Sequence, residues 1–236
     1  MVYNRIMRKF DCLFIIFFLL PVPLFAQTID LIWQGEGYAP PFYQGRTLWS
    51  RQGAITLVAI PHGLGNPATL NYKWTRSGTV LGNLNGVGVN SLSYMDSVLS
   101  RTQVITVEII SDQEELLASA SVTIAPTSPL LTIYENSPLY GFLFHKEVPG
   151  TYELKEKEVT FTAFPLFFSA PNRDSSALSY SWRANNSPAG TGHSATYRVP
   201  DDASGTSAVS IRTSHTKNLI QEAEKGFLVQ FGEQNE

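Results

Sequence analysis

The residue types that carry chemistry are thinly spread along this chain of 236 residues. Its four histidines, His62, His145, His193 and His215, stand singly. A catalytic or metal-bound histidine needs partners at fixed spacing, and no His-Glu-x-x-His run or clustered acidic array accompanies any of them. Residues 190–194, GTGHS, depart from the Gly-x-Ser-x-Gly elbow, whose serine must sit on a strand-to-helix turn. Gly82, Gly86 and Gly88 sit as loosely as a phosphate loop, but no helical pattern follows whose N-terminus would hold the anion. Asp201 and Asp202 are too few for calcium, which takes roughly six to eight oxygens, so they read as a solvated turn. Cys12 is the one cysteine. The chain is therefore expected to be no enzyme, with no metal and no cofactor.

Aromatic rings are the remaining residue type able to hold a ligand. Trp33, Tyr38, Phe42, Tyr43 and Trp49 crowd one stretch, and Phe164, Phe167 and Phe168 crowd another. Rings left in water stack on sugars or dock proteins, whereas rings shut away pack a core or a domain contact. Packing carries the greater weight. Trp33, Tyr38, Phe42, Tyr43, Trp49, Phe167 and Phe168 nevertheless form the candidate binding set.

Bulk composition narrows the partners. Hydrophobic residues make up 43% and charged residues 16%, enough apolar matter for a core and too much for wholesale disorder. Lys and Arg total 17 against 20 acidic residues, so no basic stripe is present to neutralise phosphates and nucleic acid is excluded as a partner. At the N-terminus Arg5, Arg8 and Lys9 precede an apolar run over residues 12–25 and then Ala26. That run is shorter than the ~20 residues a bilayer needs, and Pro21 and Pro23 break it. Residues 1–26 read as a signal peptide, and a membrane is a partner only if that segment stays uncleaved. Export would remove Cys12 and leave a disulfide-free chain, periplasmic, surface-bound or secreted.

The elements that must position these residues come from a repeat. Residues 55–61, ITLVAIP, match 159–165, VTFTAFP; residues 69–78, TLNYKWTRSG, match 177–186, ALSYSWRANN. NSLSY at 90–94 parallels HSATY at 193–197, and TQVITVEIIS at 102–111 parallels TSAVSIRTS at 206–214. Order is kept and the offset stays near one small domain. Between the copies residues 125–129, APTSP, read as a semi-rigid connector. The domains are placed at 28–126 and 129–232.

Within each copy the apolar period is two. Ile55, Leu57 and Ala59 alternate with Thr56 and Val58; Leu70, Tyr72 and Trp74 alternate with Asn71, Lys73 and Thr75; Ile105 and Val107 alternate with Thr106 and Glu108. Phe161, Tyr180, Trp182 and Ile211 hold the same places in the second copy. Alternation gives each strand one apolar face, and two sheets bury such faces against each other. Residues 217–225, KNLIQEAEK, are open between a short helix and a long hairpin loop.

Tyr-x-Trp on a third strand, then a turn and an alternating strand, resembles immunoglobulin-like domains. YKWTRSGTVLG followed by NSLSY is similar to bacterial extracellular modules of that kind, with the PKD-type sandwiches as close relatives. The resemblance implies that Trp74 and Trp182 pack between two sheets, with Tyr72, Tyr180, Leu57, Phe161, Val107 and Ile211 around them. The inter-sheet cysteines of antibody domains and the Trp-Asp-Phe-Gly-Asp-Gly run of PKD domains are missing. The expected fold is all-β: two tandem immunoglobulin-like antiparallel β-sandwich domains after an N-terminal signal peptide. The expected task is a non-catalytic structural or adhesive module of the cell envelope or extracellular space, bound to another surface protein. A carbohydrate-binding module using the exposed aromatics is the alternative.

Overall fold

The computed structural model describes residues 26–199 and 203–232. The expected signal segment, apart from Ala26, and the Asp201-Asp202 pair lie outside the described residues. Among the described residues no helix is long and apolar enough to cross a membrane.

The first sandwich is built from β1 (Thr28–Gly35), β2 (Ala54–His62), β3 (Asn71–Arg76), β4 (Thr79–Val80), β5 (Gly86–Val87), β6 (Ser91–Met95), β7 (Gln103–Ile110) and β8 (Leu116–Ile124). One sheet runs β1-β2-β6 and the other β4-β3-β7-β8, with β5 also paired to β3. All these pairs are antiparallel. The second sandwich repeats the plan with β9 (Leu130–Ser137), β10 (Gly141–Glu147), β11 (Thr151–Leu154), β12 (Glu158–Leu166), β13 (Leu178–Ala184), β14 (Ser187–Gly190), β15 (Ser194–Arg198), β16 (Gly205–His215) and β17 (Glu222–Phe231). Its sheets run β10-β9-β12-β15 and β11-β17-β16-β13-β14. The fold is thus a pair of immunoglobulin-like sandwiches, in line with the period-two alternation of the sequence.

Each sandwich holds its own apolar core. Leu57, Tyr72, Trp74 and Val107 are fully buried in the first; Phe161, Tyr180, Trp182 and Ile211 are buried in the second. Register explains the pairing: Trp74 lies opposite Val107 and Trp182 opposite Ile211. A buried indole must also place its N–H, and both copies solve this alike. Trp74 Nε1 donates to Val89 O at 2.8 Å and Trp182 Nε1 to Gly192 O at 2.9 Å. The buried tyrosines follow suit, with Tyr72 OH donating to Pro67 O and Tyr180 OH to Arg173 O.

The copies differ between their first and second long strands. In the second copy this interval forms β10 and β11, and β11 adds to β17 in parallel, Thr151 opposite Leu228 through Leu154 opposite Phe231. In the first copy residues 36–53 form no strand, and only a single parallel bridge, Ser50 to Thr127, occupies the corresponding place. Pro40 and Pro41 remove two amide donors there and oppose a ladder. Residues 217–225 form no helix: a turn at Leu219 and Ile220 leads to Gln221 and then directly into β17.

Candidate functional site

Residues 37–43 and 50–53 reach from the first sandwich to the second, while Trp49 between them stays in the first core. Phe42 sits in a ring cluster with Tyr134 (4.8 Å between centroids), Phe144 (5.0 Å) and Phe164 (5.4 Å). Phe142 joins by contact with Phe144 and Phe164, and the Arg173 guanidinium covers Phe142 and Phe164 at 5.0 and 4.8 Å. These rings occupy the outer face of sheet β10-β9-β12-β15, so β12 is buried on both faces over most of its length. Tyr43 meets Phe167 edge-on at 5.5 Å. Backbone bonds tie the same contact: Tyr38 N donates to Phe168 O and Phe167 N to Tyr38 O.

The seam has a polar half. Gln221 is fully buried. Its Nε2 donates to Arg51 O and Ser169 Oγ, each at 2.8 Å, and to Ser50 Oγ at 3.2 Å, while its Oε1 accepts from Ser169 N. A buried amide satisfied at both ends costs little to bury and tolerates few displacements. His215 stands behind it. Its Nδ1 accepts from the amides of Lys217 and Asn218, which leaves the proton on Nε2 to donate to Ser169 O at 3.1 Å. Gln52 adds its carbonyl to Asn218 Nδ2 and its Oε1 to Ile220 N.

Two backbone features sharpen the fit. A Cβ on Gly37 would lie 2.6 Å from Phe168 O, so only glycine lets the chains approach this closely. Gln52 and Phe167 both adopt left-handed conformations, φ 59° and 64°, which non-glycine residues hold only where their surroundings fix them.

The seven candidate binding aromatics thus have distinct surroundings. Trp49 is fully buried in the first core, its Nε1 bonded to Gly53 O. Phe168 is fully buried in the second core, and Phe167 is buried with its ring against Tyr43 of the loop from the first sandwich. Tyr38, Phe42 and Tyr43 are half-buried along the seam, and Trp33 is half-buried beneath Arg46, whose guanidinium lies 3.9 Å above its ring. They do not form one exposed platform.

An open groove of about 1420 Å³ lies at the far end of the second sandwich, away from this seam. Leu139 and Tyr140, 84% and 79% exposed, rim it from the turn between β9 and β10. Ser137 Oγ holds that turn by accepting from the amides of Leu139 and Tyr140. Tyr152 lines the wall and donates to Glu135 Oε2 at 2.6 Å; burial and that carboxylate push its phenol well above the usual range. Lys146, Lys155 and Lys157 and the Arg198–Glu158 ion pair complete a mixed-charge floor. Sequence reading missed Leu139 and Tyr140 because an isolated Leu-Tyr in a turn carries no periodic signal.

The chemistry-bearing residues are dispersed. His62 pairs with Asp30 at 3.0 Å on the surface, His145 is exposed on β10, and His193 lies 3.6 Å from Asp174. Burial, reinforced by Arg173 and opposed by Asp174, lowers the His193 pKa below its ordinary value. Among the described residues no three His, Cys, Asp or Glu side chains are grouped to hold a metal.

No protein-family model matches the sequence, and no curated protein matches it. Solved structures resemble it in chain course. The three N-terminal domains of the highly immunogenic outer capsid protein of bacteriophage RB49 align at TM-score 0.44 and 15% identity, over 87% of this chain. This chain spans 59% of that fragment. The fibronectin(III)-like modules of Clostridium thermocellum CbhA align at TM-score 0.28 and 8% identity, covering 87% of this chain and 98% of theirs. The mouse nectin-like molecule 4 ectodomain gives 0.30 and 9%, covering 90% of this chain and 67% of its own. Likenesses at this level say nothing of ligand or partner. The immunoglobulin-like assignment rests on strand order and pairing.

Proposed function

We propose that the chain is an exported, non-catalytic interaction module of the cell envelope or extracellular space, related to PKD-type sandwiches, with domains at 28–126 and 129–232. The observation that carries this reading is the seam. Rings and a saturated buried amide hold two sandwiches in one relative position, as suits a part that presents a surface at a set distance and angle. The exposed Leu139-Tyr140 turn beside its groove is the surface best suited to meet another envelope protein, because large apolar side chains left in water mark contact sites.

One observation favours a second reading. Tyr140 presents its ring beside a groove with Asn136, Ser137 and Glu135, the mixture of ring face and short polar groups that sugars engage. The glycan alternative therefore moves from the seam aromatics to this groove.

The test is binding of purified chain to envelopes of the source organism, before and after protease treatment of the envelopes. Saturable binding lost on protease treatment, and weakened by Leu139→Ala with Tyr140→Ala, supports a protein partner. Binding that survives protease places the glycan reading first. No saturable binding contradicts both.

A further inference from the structure

The two copies treat the same sheet edge differently. In the second sandwich β17 is closed by β11, which lies along its last residues in parallel. In the first sandwich the equivalent strand, β8, has no hydrogen-bonded neighbour on that side, although β1 lies close beside it as β9 does beside β17. The Ser50–Thr127 bridge, with Thr127 N donating to Trp49 O, lies beyond the end of β8. From Leu116 to Ile124 the outer backbone groups of β8 have no backbone partner among the described residues.

Open edges are ordinarily blunted by charge, proline, bulges or shortness. The other described edges follow that rule. β1 carries Asp30, β15 Arg198, β11 Glu153 and β14 Pro188; β10 is bulged and carries His145, Lys146 and Glu147; β4 and β6 are short. β8 reads LLASASVTI, nine residues with no charge, proline or glycine; its one bulge, at Leu117, lies at the start of the strand and leaves Ala118–Ile124 in regular register.

We infer that β8 is a self-association edge, at which a second copy of this chain pairs antiparallel about a two-fold axis near Ala120. That register puts Ser119 opposite Ser121 of the second copy, Ala118 opposite Val122, and Ala120 opposite itself. Every opposed pair is small or apolar and none carries like charges, so the strand is complementary to itself, as a two-fold interface requires. The joined sheet would continue β7-β8 into the second copy's β8-β7 and satisfy both rows of backbone groups. Leu116, 59% exposed, would come against the far end of the opposing strand. The second sandwich provides the precedent, since β17 accepts a strand there although β9 lies close beside it. The inference does not depend on the envelope-binding reading, because it is tested in solution with the chain alone.

Sedimentation velocity of the purified chain, from low micromolar to several hundred micromolar, tests it. The unaltered chain is expected to show a concentration-dependent dimer. Ser119→Lys with Ser121→Lys should abolish it or weaken its dissociation constant at least tenfold, since each introduced ammonium meets another across the axis. Ser119→Lys with Ser121→Glu places opposite charges across the same axis and should restore the dimer. Both serines are exposed, and an unchanged far-UV circular dichroism spectrum confirms folding. A chain that stays monomeric throughout, or a lysine pair that dimerises like the unaltered chain, would overturn the inference. Failure of the lysine–glutamate pair to restore a lost dimer would overturn the proposed register.

Discussion

At the scale of single residues, satisfaction of buried polar groups separates the ordinary from the exceptional. All three core tryptophans, both core tyrosines and Gln221 have partners for their polar atoms. Thr213 is the exception among the described residues: its hydroxyl is buried on β16 with no hydrogen bond. A buried unpaired hydroxyl is destabilising, and valine fills nearly the same space without it. Thr213→Val is therefore expected to raise unfolding free energy by about 1 kcal/mol, measured by urea denaturation. His193 gives a pH dependence. Its pKa in the folded chain is lowered, chiefly by burial, so the unfolded chain binds the proton more readily. Its contribution is neutral above the unfolded value of 6.5 and becomes destabilising as pH falls from there through the folded value. Melting temperature should thus fall less between pH 7.5 and pH 5 in His193→Gln than in the unaltered chain.

At the scale of elements, the alternating strands were legible in sequence because a half-buried strand must alternate. Leu57, Tyr72, Trp74 and Val107 mark one face whatever lies beyond it. The destination of residues 36–53 was not legible. Its rings have the same composition whether they face solvent, core or a neighbouring domain, and only the fold brings Phe42 to Tyr134 and Phe164. A partial signal existed in the second copy, where residues 164–168, FPLFF, stay apolar at every position while their counterpart at 60–64, IPHGL, turns polar. A strand buried on both sides loses its alternation, and the cover here is the first domain's loop. Residues 217–225 were open between helix and loop, and the loop form prevails because β17 pairs with β16 from Glu222 and Gln221 is held in the seam. The loop's anchor can be tested directly. Phe42→Ala removes the ring at the centre of the cluster and should lower stability by roughly 3 kcal/mol. It should also separate one unfolding transition into two in calorimetry, because the coupling between sandwiches weakens before either core does.

At the scale of the whole molecule, the seam determines what the surface offers. Two sandwiches joined only by residues 125–129 would swing, and any surface shared between them would be blurred. Here Phe42, Gln221, Gln52 and Phe167 make contacts that are compatible with one arrangement, and Gly37 permits the approach. The consequence is a single unit whose exposed features, the Leu139-Tyr140 turn and the β8 edge, keep fixed positions relative to each other. Residual dipolar couplings of backbone amides, measured in one alignment medium, test this most directly. Couplings from residues 28–124 and from residues 130–231 should fit one common alignment tensor with the sandwiches placed as described. Two tensors of clearly different magnitude would mean that the sandwiches move independently, and would contradict the account.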